Sequence, residues 1–122
     1  MNGTALLWIA LGGALGSVLR ALVGHLVQTR FPWGTLLVNV AGSLLIGWLM
    51  ARLGALEPPQ AARVQASLVV GFCGGFTTFS TFSWQTLDQM LRGQWGVAAA
   101  NILLSVTLCL VAVWLGFKFG KA

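Results

Sequence analysis

Four stretches without a charged residue, 1–19, 31–51, 64–87 and 93–117, dominate the chain. An α-helix needs about 20 mostly apolar residues to cross a hydrocarbon core of about 30 Å. The runs therefore predict four membrane spans at about 4–27, 33–53, 64–91 and 95–117, in one transmembrane domain covering 1–122. Polar positions inside the spans fall in stripes. Asn39 and Ser43 share a helical face four residues apart, and so do Asn101, Ser105 and Cys109. Gly12 and Gly16 have the small-xxx-small spacing that brings helix backbones together.

The third run breaks this pattern. It reads Gly71-Phe-Cys-Gly-Gly-Phe-Thr-Thr-Phe-Ser-Thr-Phe-Ser83, with a low-propensity Gly74-Gly75 pair followed by five hydroxyls, Thr77, Thr78, Ser80, Thr81 and Ser83. Glycine and hydroxyl residues are common at plain helix interfaces. Their density here, with Phe79 and Phe82 three apart on one face, favours a helix broken near mid-membrane. Such backbone is tolerated at that depth only where protein buries it or it borders an aqueous cavity. Broken helices of this kind build ion sites.

The connections read as short. Phe31-Pro32-Trp33-Gly34 is an interfacial turn with Trp33 as anchor. In 53–63 the Pro58-Pro59 pair is expected to bar helix continuity. His25 is expected at the interface, and Phe117–Lys121 as a terminal anchor. Arg20, within a turn of the end of the first span, either snorkels to headgroups or stands in a water-filled mouth. Asn39, inside the hydrocarbon region, must find partners. It serves either as an interhelical hydrogen bond or as a pore lining, and the two roles are compatible.

Composition removes whole classes of function. With 57% hydrophobic and 7% charged residues and a mean hydropathy of +0.87, the chain is an integral membrane protein. The first run lacks a basic leader and feeds directly into further spans, so no removable signal peptide is expected. Four short helices leave little room for a pathway in one copy, which favours an oligomer. Cys73 and Cys109 lie inside spans at no metal-ligand spacing and read as buried thiols. Glu57 sits in a loop and Asp88 at a span end, so no acid is placed for proton coupling. No phosphate-cradling loop or nucleophile–base pair is present, and the chain does not read as an enzyme.

The net charge of +5 is juxtamembrane rather than nucleic-acid-binding. One side of the membrane holds Arg52, Arg63, Lys118 and Lys121. The other holds Arg30 and Arg92, with Arg20 if it snorkels that way. Four against three gives almost no instruction under the positive-inside rule.

Three blocks together resemble the Fluc (CrcB) fluoride channel family: Gly13–Arg20 (GALGSVLR), Gly34–Gly42 (GTLLVNVAG) and Gly71–Ser83 (GFCGGFTTFSTFS). They follow the family's order in a chain of the family's length and four-span layout, so the resemblance covers essentially all of it. It implies an all-α membrane protein, four transmembrane helices with the third broken, assembled as an antiparallel dual-topology homodimer. It implies passive fluoride export across the bacterial inner membrane, through two pores per dimer. By position, Phe79, Phe82, Asn39, Ser80, Thr81 and Ser105 would line the fluoride path, and Arg20 would stand in the vestibule. The carbonyls of Gly74 and Thr77 would hold a structural Na⁺ at the dimer centre. Two positions depart from the family: Ala21 follows the arginine where an aromatic is frequent, and Cys109 stands where a hydroxyl is often found.

The residues support this independently. Aromatic rings have positive edges, so phenylalanines can favour an anion without a full charge. A fixed arginine at a constriction would hold the ion too tightly for conduction. A dual-topology exporter of cationic drugs shares the size and layout but needs a membrane-embedded acid, which this chain lacks. A membrane assembly factor would use the same small and polar stripes for helix packing alone.

The balanced charges predict insertion in both orientations. Labelling of Lys121→Cys in intact cells with a membrane-impermeant maleimide should reach about half the copies. Complete protection of every copy would contradict it.

Overall fold

The computed structural model describes residues 1–122 and is helical, without strands. Helix α1 spans Gly3–Leu26 and α2 spans Trp33–Leu53. The next segment, α3, is one continuous rod over 58–76. It consists of an α-helical start (Pro58–Val64), a π-helical middle (Gln65–Cys73) and a last α-turn (Gly74–Phe76). After two extended residues, α4 spans Phe79–Leu91 and α5 spans Trp95–Lys121. Gly3–Leu26, Trp33–Leu53, Pro58–Leu91 and Trp95–Lys121 are each long and apolar enough to cross a membrane, α3 and α4 sharing one crossing.

One local expectation is corrected. The proline pair does not keep 58–63 out of the helix, because Pro58 and Pro59 occupy its first positions. There the missing N–H has no intrahelical partner to lose. The break expected in the third crossing is present and short. Both glycines are helical, and the break falls at Thr77 (φ −87°, ψ 158°) and Thr78 (φ −152°, ψ 111°).

The glycines set helix spacing instead. A Cβ on Gly75 would lie 2.6 Å from the Gly13 carbonyl oxygen, and one on Gly71 would lie 2.8 Å from that of Ile9. Side chains at Gly12 or Gly16 would run into the α3 backbone. The two-glycine seam lets α1 lie directly against α3. The same device joins α2 to α5, where Gly47 faces the Val113 carbonyl and Gly116 faces that of Leu44. These are the two most extensive helix pairings in the chain. Only 21 of 122 residues are buried, so backbone proximity rather than a thick side-chain core holds the bundle. A small apolar cluster of Leu49, Val69 and Cys73 ties α2 to α3.

The ends are marked as the sequence requires. Asn2 Oδ1 caps α1 by accepting from the Ala5 amide at 2.8 Å. Helix α4 stops in a Schellman turn: Gly93 takes φ +75°, its amide donates to Met90 O, and that of Gln94 donates to Gln89 O. Arg52 lies over Trp48, Lys118 over Trp114 and Lys121 over Phe117, with ring distances of 5.1–5.7 Å. All three pairs fall at one end of the bundle, where a headgroup layer suits charged tips over aromatic rings.

Candidate functional site

The break between α3 and α4 frees backbone groups that an unbroken helix would pair, and the chain supplies a specific partner for them. Asn39, a third of the way along α2, accepts from the Thr78 amide with Oδ1 at 2.7 Å and donates from Nδ2 to the Thr78 carbonyl at 3.2 Å. One side-chain amide thus satisfies both polar groups of one extended residue, as a neighbouring β-strand would. Ser43 Oγ donates to Asn39 O at 2.7 Å. Gly42 lacks the Cβ that would strike the Thr77 methyl, so the break can dock on α2. The Thr78 hydroxyl then restarts the helix as the α4 N-cap, accepting from the Thr81 amide at 3.2 Å and donating to Thr81 Oγ1 at 3.0 Å.

Rerouting these amides leaves two carbonyls without their helical donors. In a continuous helix Gly74 O would accept from the Thr78 amide and Thr77 O from the Thr81 amide. Those amides are taken by Asn39 Oδ1 and Thr78 Oγ1. Gly75 O is claimed by Arg20, whose Nε donates to it at 2.9 Å. A cation at the C-terminal end of a helix is also favoured by the helix dipole. Arg20 is thereby held at the end of α3 by its Nε, a partner that the sequence did not name.

Beside the break lies a cleft of about 450 Å³. Asn39, Gly74, Thr77 and Thr78 line it together with Phe79 and Phe82, and with Ser105 and Cys109 of α5. The two phenylalanine rings are 5.5 Å apart and tilted at 49°. Phe82 is buried at 9% exposure, whereas Phe79 is 77% exposed. Of the residues expected along an ion path, Asn39, Phe79, Phe82 and Ser105 meet here. Ser80 and Thr81 do not line the cleft: Ser80 is exposed beside Thr78 Oγ1, and Thr81 is engaged in the cap.

Sequence reasoning missed the support behind this wall. Thr86 Oγ1 donates to Phe82 O at 2.8 Å, and Asn101 Nδ2 donates to Thr86 Oγ1 at 3.1 Å. Ser105 Oγ in turn donates to Asn101 Oδ1 at 3.2 Å. Asn101 is 1% exposed. The argument applied to Asn39, a buried amide needing partners, would have found it. A second, polar cleft of about 540 Å³ opens between the α1–α2 turn and α4. Gln85 and Gln89 border it, each with a buried Oε1 lacking a protein partner.

A bundle this thin, with interrupted backbone and hydroxyls lining a cleft at membrane depth, belongs to the class of multi-pass proteins that move small solutes rather than transform them. Residues 7–117 match the family described as CrcB-like protein, Camphor Resistance (CrcB). A fluoride-specific ion channel FluC of Opitutus terrae is 52% identical over 116 residues, 90% of this chain and 87% of its own length. That of Methylocella silvestris is 48% identical over 117 residues, 90% of this chain and 88% of its own. That of Nitrobacter winogradskyi is 50% identical over 124 residues, 97% and 96% respectively. The chain belongs to the CrcB (Fluc) family, which comprises ion channels and not enzymes.

Removing the Asn39 amide orphans both Thr78 groups, at about 1–3 kcal/mol for each. Asn39→Ala should therefore speed hydrogen exchange of the Thr78 amide by at least tenfold, while amides at the α1–α3 seam stay protected. An unchanged Thr78 rate would show that the clamp is dispensable.

Proposed function

We propose that the chain is a passive fluoride channel of the bacterial inner membrane, working as an antiparallel homodimer with two pores. The observation that carries this reading is the pairing, in one cleft, of two phenylalanine rings with the Asn39-clamped break. Ring edges offer an anion partial positive charge, and hydroxyls that rotate toward it, with the second Nδ2 proton of Asn39, would replace part of its water without a charge strong enough to trap it. The relatives named as fluoride-specific channels support fluoride as the ion.

The exposed side of the break supports a second copy. Phe79, Ser80 and Ser83 are exposed near the middle of the Pro58–Leu91 crossing. Hydroxyl residues are enriched at helix interfaces in membranes, and a partner's break would cover these. Two-fold pairing suits a chain with balanced flanking charge. The Gly74 and Thr77 carbonyls, deprived of their helical amides, form a donor set that fits a hard cation. With the equivalent pair of a second copy they would hold the central Na⁺, whose charge would raise the local potential for anions.

Direction follows from the membrane potential. One charge crossing 100 mV is worth about 2.3 kcal/mol, enough for a roughly fifty-fold gradient at tenfold per 1.4 kcal/mol. An inside-negative cell would hold cytoplasmic fluoride low through an open channel alone.

Purified protein in liposomes, with valinomycin clamping the potential, should release fluoride to an electrode and retain chloride. Phe79→Ile and Phe82→Ile should each cut the fluoride rate by at least tenfold while the dimer still forms. Normal rates in both variants would make the rings packing elements instead.

A further inference from the structure

The chain of hydrogen bonds behind Phe82 has only one consistent direction. Phe82 O can only accept, so Thr86 spends its single hydroxyl proton there. Asn101 must then present its NH₂ to Thr86 Oγ1, which turns Oδ1 toward Ser105. Oδ1 can only accept, so the one Ser105 proton points away from the cleft, into α5. The cleft-facing side of Ser105 therefore carries lone pairs, the wrong polarity for an anion.

We propose that Asn101 is a positioning residue that competes with the permeating anion for the Ser105 proton. The inference rests on the fluoride-channel reading and deepens it. As the ion reaches Ser105, the hydroxyl rotates from Asn101 Oδ1 to the ion, and it returns as the ion leaves. No covalent bond forms or breaks and no proton changes owner. A hydrogen bond to an anion is stronger than one to a neutral carbonyl, so the rotation is favourable at the ion. It also strands Asn101 Oδ1, buried at 1% exposure, without its donor. The second effect offsets the first and keeps the anion loosely held, as rapid conduction requires. Thr86 shares the task by anchoring the amide, and neither Thr86 nor Asn101 lines the cleft. Their effect on the ion passes through Ser105.

The test is the fluoride affinity of the purified dimer, by titration followed with fluorine NMR, with liposome flux measured alongside. Asn101→Leu removes the competing acceptor and leaves Thr86 bonded to Phe82. It should bind fluoride about fivefold more tightly, the equivalent of about 1 kcal/mol at tenfold per 1.4. In a Ser105→Ala background the same substitution should change nothing, the non-additivity expected of a shared contact. Thr86→Val frees the amide to turn its NH₂ toward Ser105. It should shift affinity in the same direction and serves if Asn101→Leu does not assemble. An unchanged or weaker affinity in the assembled variant, or an equal gain without Ser105, overturns the proposal. Absence of fluoride flux in the wild type would instead remove the channel reading on which it rests.

Discussion

Breaking a helix at membrane depth strands backbone amides and carbonyls where no water can reach them, at several kcal/mol for each group left unpaired. One asparagine side chain answers the part of that cost that falls on Thr78. By bonding both the amide and the carbonyl of Thr78, Asn39 makes two extended residues as acceptable to the bilayer interior as a helical turn. The rest of the site follows. The Thr78 hydroxyl is free to cap α4, the Gly74 and Thr77 carbonyls are left open, and Phe79 and Phe82 begin a new helix at the mouth of the cleft.

Holding such a break in place needs a frame that does not yield, and the chain builds one from closeness rather than bulk. The glycine seams between α1 and α3 and between α2 and α5 bring backbones into contact. The first seam carries Arg20 to the end of α3, the second carries Ser105 and Asn101 to the wall behind Phe82. Asn39, Thr86, Asn101 and Ser105 are each bonded to backbone or to another side chain. The same thinness leaves Phe79 and its neighbouring hydroxyls uncovered, which is the physical case for a second copy.

Much of this was legible in the sequence. Uncharged length gave four crossings, and the hydroxyl cluster after Phe76 located an interruption in the third. A buried amide at Asn39 announced a partner, though not which one. The details that were not legible share a cause. The glycine pair reads as a helix breaker by propensity, but propensity is weak against the packing of α1 on Gly71 and Gly75, and the extended residues are threonines that a side-chain clamp can satisfy. Prolines read as terminators can equally open a helix, as Pro58 and Pro59 do. Arg20 and Asn101 needed tertiary neighbours, Gly75 O and Thr86, that no spacing along the chain reveals.

The account's central claim is that this cleft conducts fluoride passively and in preference to chloride. It is tested most directly by the reversal potential of the wild-type protein in a planar bilayer, with a tenfold fluoride gradient and symmetrical chloride. A fluoride-selective channel reverses near fluoride's equilibrium potential, about 59 mV for a tenfold gradient of a monovalent ion. Reversal at zero, or fluoride transport that carries no current, would contradict it.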